Sequence, residues 1–188
     1  MNSPPPFPRL TGSADVSVRP ARAGDGEAIA RVQAVTWRTA YRAVLPAAVL
    51  DAWDAAAATA TWEAAVTAPP SAGHRVLVAV EREEVVGFAA VAPDDEPGVE
   101  ELGPLLVEPR WGRRGHGSRL LAAVTDLASA DGIGRLRTWL PESDGVSRHF
   151  FESAGWEPDG WARTLETGGA PLRELRWHVT LHEEDEER

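Results

Sequence analysis

The chain contains no cysteine. Disulfides, thiolate metal sites and cysteine nucleophiles are excluded together. Lysine is missing too, since all nineteen basic residues are arginine. A nucleoside triphosphate loop that rests its lysine on the phosphates is therefore excluded, and so is any lysine Schiff base. No run of about 18 apolar residues occurs, the length a helix needs to cross a bilayer. The opening MNSPPPFPRLTGSAD has no basic segment followed by an apolar one. These features predict a cytoplasmic protein with no membrane partner. Positive charge is also short: 19 arginines face 29 acidic residues, for a formal charge of −10. Such a balance repels phosphate polymers at long range, so nucleic acid is not an expected partner.

What is present suffices for one core. With 188 residues and 43% apolar content, a single domain over 15–181 is the simplest organisation. A Pro-rich tail at 1–14, expected to be disordered, and an acidic tail at 182–188 flank it. VSVRPA from Val16 reads as a strand, and Gly24-Asp25 as the cap of a helix with an apolar stripe at Ala28, Ile29, Val32 and Val35. One or two further helices run to Pro69-Pro70, broken at Pro46. RVLVAVERE and VVGFAAVAP form a hairpin turning near Arg82 to Glu84, and a strand from Glu101 to Val107 follows. A helix carrying Leu120, Leu121, Val124 and Leu127, a strand RLRTWL, a short helix over Ser147 to Ser153 and a closing strand pair around Gly168-Gly169 complete the order.

The densest signal is VEPRWGRRGHGSRLL, residues 107–121. A strand runs into an arginine-flanked Gly-x-Gly turn that opens an amphipathic helix. A helix start presents unpartnered N–H groups and the positive end of the peptide dipoles, both suited to phosphate oxygens. Gly115 and Gly117 let that backbone approach a ligand closely, and Arg113 and Arg114 supply forked, charge-assisted donors. The alternative is a glycine turn with solvated arginines.

The whole element order, over about residues 16 to 181, resembles the GNAT superfamily of N-acetyltransferases. LLVEPRWGRRGHG looks like its acetyl-CoA motif, a strand ending Val-x-Pro followed by Arg/Gln-x-x-Gly-x-Gly/Ala; Val107, Pro109, Gly115 and Gly117 fall on its marks. HFFESAGWEP and WRTAYRAVLP resemble a later segment and the first-helix region of that superfamily. Two positions depart from the pattern. Gly112 stands where Arg or Gln is usual, and Phe151 where many members carry a tyrosine able to protonate the departing thiolate. Phenylalanine cannot donate a proton.

The resemblance implies an α/β fold of the α+β type: a mixed, mostly antiparallel central sheet flanked by helices. It implies acetyl-CoA as cosubstrate and an amine of a small molecule or peptide as acceptor, with direct attack and no metal. Leu105, Leu106 and Val107 would hold the pantetheine arm through their backbone. Arg113, Arg114, Gly115, His116, Gly117 and Ser118 would meet the diphosphate, with Phe151 beside the thiol. Glu101 is the candidate base, because alternation along a strand would put it on the face of Val107; Glu100 takes its place if the register slips by one. Tyr41 or Ser147 could protonate the thiolate, as could water, or it could leave unprotonated, since a CoA thiol is a good leaving group. A non-catalytic acyl-CoA-binding or regulatory module on the same fold is the alternative. Of the eight tryptophans, Trp37, Trp139 and Trp177 lie on elements that border the acceptor site in the superfamily. Core packing or a homodimer interface is the competing use for each.

Overall fold

The computed structural model describes residues 16–40, 42, 45–167 and 171–181. Both expected tails, Tyr41 and the Gly168-Gly169 turn lie outside the described residues. The chain runs β1 (Val16–Pro20), α1 (Gly26–Thr39), α2 (Ala47–Asp51), α3 (Ala55–Thr67), β2 (Arg75–Glu81), β3 (Glu84–Pro93), β4 (Val99–Val107), α4 (His116–Ala130), β5 (Arg135–Pro141), α5 (Gly145–Ser153), β6 (Glu157–Leu165) and β7 (Leu172–Thr180). The seven strands form one sheet in the order β1-β2-β3-β4-β5-β7-β6. Every neighbouring pair is antiparallel except β4 and β5. The expected mixed, mostly antiparallel sheet is therefore the one observed. No helix among the described residues is long and apolar enough to cross a membrane.

Each face of the sheet buries a separate apolar cluster. On one, Leu120, Leu121 and Val124 of α4 and Phe151 of α5 pack against Leu102, Leu136 and Trp177. On the other, Ile29 and Val32 of α1 meet Val78, Phe88 and Leu106. Phe88 is fully buried; a side chain of that size contributes about 1.5–3 kcal/mol by leaving water. The alanine-rich α3 buries no residue completely, so its position depends on specific contacts. The Trp62 ring packs edge-on against Phe88, centroids 4.8 Å apart, and its indole N–H donates to Gln33 at 2.7 Å. The Glu63 carboxylate accepts from the N–H groups of Gly24 and Gly26, satisfying orphan donors at the start of α1.

A β-bulge sets the phase of β4. Ala89 pairs with Leu105 whereas Val91 pairs with Leu102, so β4 carries one extra residue at Gly103-Pro104. A glycine and a proline are the residues that such an irregularity accommodates. The side chains before and after it are therefore out of step. Leu102 joins the α4-side cluster, and so do Leu105 and Val107, while Leu106 joins the α1-side cluster. Beyond this point β4 also parts from β5, because the parallel pairing covers Val99–Glu101 against Arg135–Arg137 and goes no further. The two strands form a fork that opens toward the end of β4.

The entry to α1 is held by an ion pair. Asp25 accepts from Arg19 at 2.7 and 3.0 Å and from the Arg22 N–H at 2.8 Å. The Arg19 hydrogen bond holds the Asp25 carboxyl below its ordinary value of 3.8, against the opposing effect of burial. A depressed native pKa stabilises the fold above the unfolded value, and that contribution disappears as pH falls through the native one. Asp25→Ala is expected to cost roughly 2 kcal/mol at pH 7 in urea titration. The gap between variant and parent should narrow below about pH 4.

Candidate functional site

After Val107 the chain passes through a 3-10 turn at Pro109–Trp111 into the glycine turn. Glu108 donates its N–H to the Val86 carbonyl at 2.9 Å, and its buried carboxylate pairs with Arg31 and Arg110. Arg113 adopts φ 58°, uncommon for a residue with a side chain. Gly115 follows with φ 81° and is the residue before α4. The left-handed pair folds the backbone so that the first N–H groups of α4 are presented to the fork. This is a concave arrangement suited to anions.

A cleft of about 530 Å³ occupies that space. Leu105, Leu106 and Val107 form one wall, Gly115 to Ser118 lie at its end, and Ser147, Phe150 and Phe151 of α5 face them. Alternation from the Glu108 N–H, which points to β3, turns the N–H groups of Leu105 and Val107 toward β5. The β4–β5 pairing ends at Glu101, so no ladder bond meets them there. A Cβ added at Gly117 would touch the Phe150 ring at 3.5 Å, an ordinary contact. Protein packing alone does not require glycine at this position; the open side of the cleft is what an added methyl would fill.

The candidate residues separate in space. Arg113 lines the cleft, whereas Arg114 turns away to Glu81 at 3.3 Å and lies over the Trp111 ring at 4.9 Å. His116 is buried and its Nε2 lies 2.8 Å from Glu81 Oε2. Glu81 thus fastens the turn to the end of β2, a partner the sequence reading did not include. Phe151 is buried against Phe150 and Trp156 and reaches the cleft wall. Ser147 donates its hydroxyl to Asp144 at 2.6 Å, which caps α5. Thr36 of α1 and Ala40, its C-cap, also line the cleft and were not anticipated. Trp177 is a core residue, Trp37 packs edge-on against Trp53, and Trp139 lies under the Arg163 guanidinium at 4.4 Å.

The expected shared face of Glu101 and Val107 is not observed. The extra residue at Gly103-Pro104 reverses the alternation, so Glu101 faces the α1 and α3 side and lines a second, smaller cavity instead. Glu100 points the other way and is buried. Its two oxygens accept from Arg75 at 2.6 and 2.7 Å, and burial pushes its carboxyl above the usual range despite that arginine. Glu101 makes no hydrogen bond or ion pair among the described residues. No group of three or more metal-ligating side chains occurs among the described residues.

Comparison with known proteins agrees with this architecture. The model of the acetyltransferase (GNAT) family matches residues 34–156. The fold is that of PaiA N-acetyltransferase from Thermoplasma acidophilum, solved with coenzyme A; the two are 15% identical, with a TM-score of 0.72 over 86% of this chain and 97% of that one. YncA from Salmonella typhimurium, solved with acetyl-CoA, gives 20% identity and a TM-score of 0.69, covering 92% of this chain and 97% of that one. A mycothiol acetyltransferase of Nocardiopsis dassonvillei is 33% identical over 112 residues, 56% of this chain. The match spans only 30% of that relative's length. The chain belongs to the acetyltransferase (GNAT) family.

The Glu81 contacts carry a measurable consequence. Glu81→Ala leaves the buried His116 ring without its partner, at an expected cost of about 1–3 kcal/mol in urea titration. Hydrogen exchange should quicken in the 111–117 turn more than in β5 to β7; uniform acceleration would mean that Glu81 supports the sheet at large.

Proposed function

We propose that the chain is an acetyl-CoA-dependent N-acetyltransferase that passes acetyl directly to an amine. The observation that carries this reading is the unpaired edge of β4 at Leu105 and Val107, followed through the 3-10 turn and the glycine turn by the N-terminus of α4. Membership of the family supports it. Acetyl-CoA supplies an activated acetyl thioester. On this reading the N–H groups of Leu105 and Val107 bind the pantetheine arm and polarise the thioester carbonyl. The N–H groups of His116 to Ser118, with the guanidinium of Arg113, receive the diphosphate. Arg114 serves the turn from outside, through Glu81 and Trp111.

Glu101 remains the best candidate for the base, for a different reason than strand alternation. It is the last residue of β4 paired with β5, so it stands at the vertex of the fork. Its half-buried carboxylate is free to take a proton from an ammonium. The amine lone pair attacks the carbonyl carbon, the C–N bond forms, and the C–S bond breaks to release thiolate. Phe151 donates nothing and Ser147 is committed to Asp144, so water is the proposed donor to the sulfur; Tyr41, the other expected donor, lies outside the described residues.

Two outcomes test the reading. Acetyl-CoA at 100 times its Kd should stabilise the protein by about 2.7 kcal/mol in a thermal-shift titration; no shift at high ligand contradicts it. Gly117→Ala should leave the melting temperature equal or higher, because alanine favours helix, yet weaken acetyl-CoA about tenfold. For the base, Glu101→Gln should lower thiol release by roughly 100-fold or more, with the larger loss at low pH. Equal rates across pH would remove Glu101 from that role. Acetyl-CoA binding without transfer to any amine would favour the non-catalytic module.

A further inference from the structure

The second cavity suggests what the acceptor is. It measures about 240 Å³ and lies between α3 and the α1-facing side of β2, β3 and β4. Its wall is formed by Trp62, Ala65, Val76, Ala90, Ala92 and Pro104, with Glu101 in the lining. The other polar side chains around it each have a partner. The Trp62 indole N–H donates to Gln33, His74 Nδ1 pairs with the Ser71 hydroxyl at 2.8 Å, and the Arg75 guanidinium is bound by Glu100 and Asp131. Neighbouring carboxylates are paired likewise: Asp94 and Glu96 meet Arg137. Glu101 alone among the lining carboxylates and cations has no partner in the described residues.

The two cavities share one strand. Residues 101, 103 and 104 line the smaller one and residues 105–107 line the larger. Pro104 and Leu105 are adjacent, with Cα atoms about 3.8 Å apart across one peptide. A group lodged against Glu101 and Pro104 thus lies on the stretch of β4 that leads directly into the larger cleft.

Resting on the transferase reading above, we infer that the acceptor is a small apolar monoamine whose hydrocarbon part fills the Trp62 cavity and whose nitrogen lies at Glu101. A lone carboxylate in an apolar wall is matched by one ammonium. A second cation would be stranded without a partner, which disfavours polyamines and aminoglycosides. A peptide would bring amide groups that this wall cannot satisfy. The volume is also below the roughly 300 Å³ at which drug-sized sites begin. Glu101 takes one proton from the ammonium before attack. The nitrogen gives its second proton to water once the C–N bond has formed, water returns one to the thiolate as the C–S bond breaks, and Glu101 releases the proton it took to solvent.

The test is a thiol-release assay with the full chain, acetyl-CoA and three sets of acceptors: 2-phenylethylamine and isoamylamine; spermidine and kanamycin; and a peptide with a free N-terminus. Methylamine is the reference without hydrocarbon. The expected kcat/KM for 2-phenylethylamine exceeds that for methylamine by about 100-fold or more, and the other two sets react far less. Filling the cavity by Ala65→Trp, or from the sheet side by Ala92→Phe, should raise the KM for 2-phenylethylamine at least about tenfold. The acetyl-CoA thermal shift should be retained in either variant, which confirms folding and an intact coenzyme cleft. Preferred turnover of the polycationic amines or the peptide, or a KM indifferent to both filled variants, overturns the cavity assignment while acetyl transfer stands. Absence of any acetyl-CoA shift in the parent chain overturns the transferase reading itself and the inference with it.

Discussion

The end of the β4–β5 pairing at Glu101 and Arg137 is the constraint on which both cavities depend. A parallel ladder continued to Val107 would consume the outward N–H groups of Leu105 and Val107 and close the space between the strands. The bulge at Gly103-Pro104 interrupts it, because the extra residue bends the strand away from β5. One local irregularity thus has two effects. It leaves backbone donors free beside the larger cleft, and it rotates Glu101 to the opposite side of the sheet, into a cavity of its own.

A fork of this kind is useful only if its open end is held still. The turn between β4 and α4 contains two left-handed residues, Arg113 and Gly115, and such a backbone persists when its surroundings over-determine it. Side chains from three directions do so here. Glu81 of β2 binds His116 and Arg114, Arg31 of α1 binds Glu108, and Trp111 packs edge-on to His116 with centroids 6.4 Å apart. The Glu81–Arg114 and Arg31–Glu108 contacts pair opposite charges beside the turn. Arg113, by contrast, lines the cleft and makes no ion pair among the described residues. A chain of formal charge −10 therefore presents a local cation in this cleft.

Much of this was legible in the sequence. The glycine turn, the strand before it and the apolar helix after it follow from local chemistry, and the element order matches the observed one from Val16 to Thr180. The phase of β4 was misjudged, although the signal was present, since Gly103 and Pro104 inside an apolar strand are the residues of a bulge. Other features had no local signal. Glu81 and His116 are 35 residues apart, and only the β2–β3 hairpin beside β4 brings them together. The isolation of Glu101 likewise depends on where Arg75 and Arg137 direct their guanidinium groups, which spacing along the chain does not determine.

Hydrogen exchange of β4, with and without acetyl-CoA, tests the central claim most directly. If the unpaired edge receives the cosubstrate, the amides of Leu105 and Val107 and those of His116 to Ser118 gain protection on binding. Those of Glu100 and Glu101, on the stretch already paired with β5, change little. Protection confined to the β5-β7-β6 half of the sheet, with Leu105 and Val107 unaffected, would contradict the account.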